Sequence, residues 1–325
     1  RPFRLSDPDL GCVEVMTGAV LPEGTDCVIP YEDTRCEGKR MELLPEAKAP
    51  KAGQAVHRLG SDHRQGEIIV SAGARITGRE IAVAAAVGAG RLVVAQRPKI
   101  AVVATGDELV EVGDAVAPHQ IRRSNDHALR AALILAGYPC VERFHVHDMR
   151  HEIEHMLWHI IAEFDVVLIT GGVSKGKLDF LPAELHAQGV KRVFHGVAQR
   201  PGKPFWFGVT PEGKPIFALP GNPVSSYTCL HRYVLPALAQ ASGCTTRQPP
   251  RKMMLGAPVT FRPELAYLLP IKLAQGEDGI VRAMPEPANT SGDFSGLVGT
   301  DGFVELSGEI TEFPAGFVAP FYEWV

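Results

Sequence analysis

The sequence predicts an α/β protein with a three-layer αβα central domain and a mostly parallel sheet, flanked by an N-terminal β-rich domain and a C-terminal β-barrel-like domain. Three observations predict it. From residue 99 to 240, short apolar runs alternate with segments of helical period, the pattern of strands covered by helices. Before residue 75 and after residue 248, short β-branched stretches broken by Gly and Pro replace that pattern. At roughly 100–200 residues per domain, the 325 residues allow two or three domains.

Taken in order, residues 1–75 read as the β-rich domain. "GCVEVMTGAVLPEGTDCVIPYEDT" is strand, Gly/Pro turn, strand, and "GEIIVSAGARI" repeats the form. Residues 76–98 are a helical linker segment, in which Thr77 caps a helix that ends at Gly88 or Gly90. Residues 99–247 are the α/β domain. "KIAVVAT" and "DVVLIT" are continuous apolar strands, as a parallel sheet buried on both faces requires. "PCVERFHV" is a strand between them in sequence. A helix begins at Ser124 or Asn125 and shows one face with Leu129, Ala132, Leu133 and Ala136. A second, over 151–164, does so with Ile153, Met156, Leu157 and Ile160. "FWFGV" and "PIFALP" form a hairpin around "TPEGK", and Asn222 and Pro223 start a further helix. Residues 248–325 return to short strands, "FVELSGEI" and "APFYEWV" being the clearest.

Composition removes several classes of function. A net charge of −4 without a basic stripe argues against a nucleic-acid partner. No run of about 18 apolar residues argues for a membrane span, and we expect a cytoplasmic protein. The six cysteines include no C-x-x-C pair, so zinc knuckles and thioredoxin-type chemistry are not indicated. His151, His155 and His159 share a helix face but lack the acid of a zincin motif, so we read them as a solvated face.

Ligands of parallel α/β sheets bind beyond the carboxyl ends of the strands, and three such ends carry unusual loops. "ATGDELV" puts Asp107 and Glu108 at the mouth of the sheet, where carboxylates suit Mg2+. The alternative is a turn cap by Asp107. "ITGGVSKGKLDF" has adjacent Gly171 and Gly172, which permit close backbone approach, with Ser174, Lys175, Lys177 and Asp179 following. "RPGKP" holds Arg200 and Lys203 around a Pro-Gly turn, an arrangement for a small oxyanion. "LPGNPVSS" places Gly221, Asn222, Ser225 and Ser226 at a helix start, where free N–H groups meet a phosphate. Each motif alone also has a plain capping or turn explanation.

Together, "MTGAVLPEG", "TGDEL", "GGVSKGKLDF", "RPGKP" and "LPGNP", in fixed order over nearly the whole chain, resemble the bacterial MoeA-type molybdopterin molybdenumtransferases and the related E domain of gephyrin. The resemblance implies a homodimer that takes adenylylated molybdopterin and molybdate and, with Mg2+, releases AMP and molybdenum cofactor. It implies functional acids at Glu108, Asp148 and Asp179, which would hold the metal. It places the "TGA" threonine at Thr17, across the dimer, and the molybdate cations at Arg200 and Lys203. Arg262 and Ser291 are its looser candidates for the rest of the oxyanion site. Glycines 171, 172 and 221, with Ser174, Asn222 and Ser225, are expected to hold the pterin ligand.

The sequence also departs from the family pattern. An "MDGYA"-like segment is lacking, so the chain is expected to begin inside that pattern. Arg200 and Gly196 stand where lysines are usual. These departures motivate an alternative, a non-catalytic molybdopterin-binding or scaffold protein of the same fold. An adenylyltransferase or nucleotide hydrolase built on the central domain explains less, because "PGKP" and "PGNP" have no part in it.

Overall fold

The computed structural model describes residues 11–172, 180–245, 249–288 and 290–325. The chain divides into two compact units, Arg1–Ser71 and Ala72–Val325.

In the first unit the paired strands are β1 (Thr34–Glu37) and β2 (Arg40–Leu43), an antiparallel hairpin. The described residues on either side of it are mostly turns and extended chain. Of the segments expected as strands in 11–34 and 66–76, only Thr34 enters a ladder among the described residues, while Asp26 and Val28 exchange single backbone hydrogen bonds with Gly53 and Gln54. Short β-branched runs give a propensity, but a ladder needs a neighbour, and a lone hairpin is marginal by itself.

The second unit opens with α1 (Gly78–Ala86). Thr77 and Glu80 form a reciprocal capping box, and Gly88 closes the helix in a left-handed conformation, as expected. The central region follows: β3 (Ile100–Thr105), β4 (Leu109–Val110), β5 (Ile121–Arg122), α2 (Asn125–Leu135), β6 (Val141–Val146), α3 (Arg150–Glu163), β7 (Val166–Thr170), α4 (Leu181–Ala187), β8 (Lys191–His195), β9 (Gln199–Arg200), β10 (Trp206–Val209), β11 (Pro215–Leu219), α5 (Pro223–Cys229) and α6 (Leu235–Ala241). A π-helical turn, Leu230–Val234, joins α5 to α6 without a break.

The main sheet runs β6-β3-β7-β11-β10-β8. The first four strands are parallel, and β11-β10-β8 is an antiparallel extension containing the expected hairpin. Alternation along β3 makes the layers. Ile100 and Val102 pack with Leu129, Leu133, Val234 and Leu238 on one face; Ala101 and Val103 pack with Ile153, Leu157, Ile160 and Leu185 on the other. This is the αβα arrangement read from the sequence.

The remaining strands are β12 (Arg251–Met254), β13 (Val259–Thr260), β14 (Ala266–Gln275), β15 (Val281–Pro285), β16 (Gly302–Leu306), β17 (Glu312–Phe313) and β18 (Val318–Glu323). They form an antiparallel sheet, β12-β18-β16-β14-β15, beside the short β13–β17 pair, around Leu255, Leu269, Ile271, Val304, Phe313 and Phe321. β9 pairs in parallel with β14, matching Arg200 to Tyr267, so this short segment of the central region joins the C-terminal sheet.

Candidate functional site

The carboxyl ends of β3, β7 and β11 converge. Gly171 follows β7 with φ +97°, and a Cβ there would lie 2.7 Å from both the carbonyl and hydroxyl oxygens of Thr105 at the end of β3. A Cβ on Gly221, after β11, would lie 3.6 Å from Gly171 Cα. Asn125, at the start of α2, binds these ends together: its Nδ2 donates to Thr170 Oγ1 at 2.9 Å and to the Gly221 carbonyl at 2.7 Å. Thr105 Oγ1 and Asn125 Oδ1 are buried and make no hydrogen bond to a described residue. Leaving a buried polar atom unsatisfied costs about 1–3 kcal/mol, so both atoms call for a partner beyond the described residues.

Acids gather on the β3–β6 side. The Glu108 carboxylate folds back over Gly106, where a Cβ would lie 2.5 Å from Oε2. Asp107 accepts the backbone N–H of Asp148 at 3.0 Å and pairs with His147 at 3.3 Å. The His145 and His147 rings meet edge-on at 5.0 Å, and His145 Nε2 contacts the Gly106 carbonyl at 3.0 Å. Partial burial, then the neighbouring Asp107 and Glu108 carboxylates, hold the Asp148 carboxyl above the usual carboxylate range, while His145 and His147 oppose the shift. Mutually repelling carboxylates of this kind are the hard oxygen donors a cation such as Mg2+ takes. Among the described residues no three His, Cys, Asp or Glu side chains form a ready metal cluster. Asp179, the third expected acid, lies outside the described residues, as does Ser174.

On the β11 side, Asn222 stands before α5. It does not cap the helix with its side chain; its Nδ2 donates to Ser291 Oγ at 2.7 Å, while Ser291 O accepts the Val224 N–H at 3.1 Å. Ser291, a looser candidate by sequence, is thus brought to the "PGNP" turn. Ser225 is buried at 3% exposure, so its hydroxyl has no open face here. Ser226 is buried as well and donates to the Pro223 carbonyl. Arg200 and Lys203 are exposed on the turn between β9 and β10. Tyr267 lies opposite Arg200 and stacks on Phe261 at 4.2 Å, next to Arg262 in sequence. Thr17 is exposed in the first unit, in a turn closed by Ala19 N–H to Met16 O with Gly18 at φ +84°.

The loops after β3, β7 and β11 therefore form a linked set, and comparison with known proteins gives the family of the chain that carries them. Residues 101–240 match the model of a probable molybdopterin binding domain, and residues 3–88 match that of the MoeA N-terminal region (domain I and II). A molybdopterin molybdenumtransferase of Synechocystis sp. is 38% identical over 316 residues, covering 97% of this chain and 78% of the relative. The chain belongs to the molybdopterin molybdenumtransferase family. A second relative of that name, from Staphylococcus epidermidis, is 31% identical over 94% of this chain and 72% of its own length. A solved molybdopterin biosynthesis MoeA protein from Pyrococcus horikoshii superposes with a TM-score of 0.72 at 30% identity, covering 94% of this chain and 74% of that one.

Within this family frame, sequence reasoning missed Asn125, which reads only as a helix cap, and the His145–His147 pair, which reads only as strand alternation. The signal for Asn125 is present, since an Asn at a helix start beside a sheet mouth can serve the mouth instead of the helix. Gly196, one departure from the family pattern, has φ +94°, a backbone that a lysine would adopt only with strain. An open groove of about 590 Å3 lies beside Asn125, lined by Val112, Arg122, Arg123, Ser124, His127, Ala128 and Phe294. Its Arg122 donates to the carbonyls of Val112 and Asp114.

Proposed function

We propose that this chain is a molybdopterin molybdenumtransferase that inserts molybdenum from molybdate into adenylylated molybdopterin with release of AMP. The observation supporting this reading most directly is the junction of the Gly106, Gly171 and Gly221 turns. Asp107, Glu108 and Asp148 stand on one side of it and Asn222 with Ser291 on the other.

The Gly172 and Asn222 turns offer backbone N–H groups to the ligand phosphate, since the Gly106 and Gly171 N–H groups already donate to the Val146 and Leu219 carbonyls, and the Thr105 hydroxyl, without a partner among the described residues, is a further donor. Glu108, Asp148 and Asp179 would hold Mg2+, which when bound neutralises charge on the pyrophosphate and on leaving AMP. Arg200 and Lys203, with Ser291 and Arg262 as further candidates, hold the molybdate oxygens. Catalysis on this account is mainly positioning and charge stabilisation. Thr17 acts from the first unit in a homodimer, in which a second copy completes the site. No helix of the described residues is long and apolar enough to cross a membrane.

The test is AMP release from adenylylated molybdopterin by Asp148→Asn and Asp179→Asn. Each is expected to slow release at least about a hundredfold, the scale of one lost electrostatic partner. Release at the native rate by either variant removes that acid from the mechanism. Titrating Mg2+ in the same assay checks the metal: turnover that persists in excess chelator contradicts it.

A further inference from the structure

The loop bearing Arg200 and Lys203 rests on a buried amide. Gln199, 1% exposed, lies beneath the turn. Its Nε2 donates to the Pro201 carbonyl at 2.9 Å and approaches Cys229 Sγ, at the end of α5, at 3.6 Å. Its Oε1 accepts from the Tyr233 hydroxyl. Both ends of the amide are thus used, which fixes its orientation. The packing is close: a Cβ at Gly202, already at φ +92°, would lie 2.6 Å from Gln199 Nε2 and 2.7 Å from Cys229 Sγ.

Tyr233 is held as firmly as the amide it serves. Its ring stacks on Phe205 at 5.1 Å, and the Arg232 guanidinium lies 5.1 Å from the ring centre. Burial drives its phenol up to about 12, so it remains a neutral donor at physiological pH. Tyr233 belongs to the π-helical turn Leu230–Val234, and a π-turn inside a helix often marks a functional site because it redirects side chains at a cost in helical regularity. Here it aims Tyr233 at Gln199 while the neighbouring Arg232 faces Glu305 of the C-terminal sheet.

We infer that Gln199 and Tyr233 are positioning residues for the oxyanion loop: through the Pro201 carbonyl they set the spacing of Arg200 and Lys203 and thereby the affinity for a tetrahedral dianion. This rests on the proposed role of those cations. A buried glutamine serving only the fold would affect stability and the amount of active protein, whereas one that sets cation spacing affects the concentration of oxyanion needed.

The experiment compares KM for molybdate and kcat in the full chain for Gln199→Glu, Tyr233→Phe and Lys203→Met, with thermal melting of each. Gln199→Glu keeps the acceptor for Tyr233 but has no donor for Pro201; Tyr233→Phe keeps the ring stack and loses only the hydroxyl, so it remains a folded probe if the first variant does not fold. Losing one such bond is expected to raise KM for molybdate about tenfold, with kcat falling far less. An unchanged KM in folded Gln199→Glu and Tyr233→Phe, beside a raised KM in Lys203→Met, overturns the inference and leaves the site assignment standing. An unchanged KM in Lys203→Met overturns the cation assignment itself, and the inference with it.

Discussion

Asp148 illustrates how much a single residue carries here. Its carboxyl is held above the usual range by partial burial and by Asp107 and Glu108. For an acid whose folded pKa is raised, ionisation opposes folding, so the penalty is absent at low pH and grows as pH rises through the ordinary carboxylate range. In the absence of divalent cation, Asp148→Asn is therefore expected to melt at higher temperature than the native chain near pH 7, and at the same temperature well below pH 4. A difference that persists at low pH would mean the repulsion is not the cause. Gly171 carries a separate test. Its φ is +97°, and a methyl added there would lie 2.7 Å from Thr105 O. Gly171→Ala is therefore expected to cost about 1–3 kcal/mol, read as a lower denaturant midpoint. The acids and glycines are legible in the sequence because their chemistry is unusual at strand ends. Asn125 is legible only as a cap, since nothing local shows that its amide reaches Gly221 across the sheet.

Elements divide by how much of their cause is local. α1 and α3 are legible in the sequence, from the Thr77 cap and from the Ile153, Leu157 and Ile160 face. α4 and β8 are not. α4 is seven residues and begins with Leu181-Pro182, too short to show a period; β8 is nearly all exposed, so it has no alternation to show. The strands expected in the first unit show the opposite case, having the propensity but, among the described residues, isolated backbone bonds such as Val28 N–H to Gln54 O in place of a ladder. The π-turn offers the prediction at this scale. His231 Nδ1 lies 2.9 Å from the Tyr227 carbonyl, and Nε2 accepts the Val325 N–H at 3.1 Å, which needs a neutral ring with its proton on Nδ1. Burial lowers its pKa from 6.5 to about 4. A base with a depressed folded pKa contributes stability that is present above the unfolded value of 6.5 and is lost as pH falls through that of the fold. His231→Asn is therefore expected to close its stability gap to the native chain between pH 6.5 and 4. A gap that is constant with pH would contradict the assigned tautomer.

At the scale of the molecule, the second unit brings together segments far apart in sequence. Arg200 pairs into the C-terminal sheet, Ser291 meets Asn222, and Arg232 forms a two-bond pair with Glu305, which also accepts from the Tyr322 hydroxyl. These contacts are why the order of motifs is readable but their junction is not: sequence periodicity reports which face is buried, and says little about which distant segment covers it. Arg232→Met leaves Glu305 without its cation and is expected to cost about 1–3 kcal/mol, with a weaker molybdate site as its second consequence, because the same turn carries Tyr233. On the proposed function phosphate, cation and oxyanion meet in one site, so that cleavage and insertion are one event. A single turnover in which AMP released and molybdenum gained by the pterin are measured together decides this. One for one is expected, with AMP release requiring molybdate. AMP released at the full rate without molybdate, or molybdenum gained while the adenylate stays attached, would contradict it.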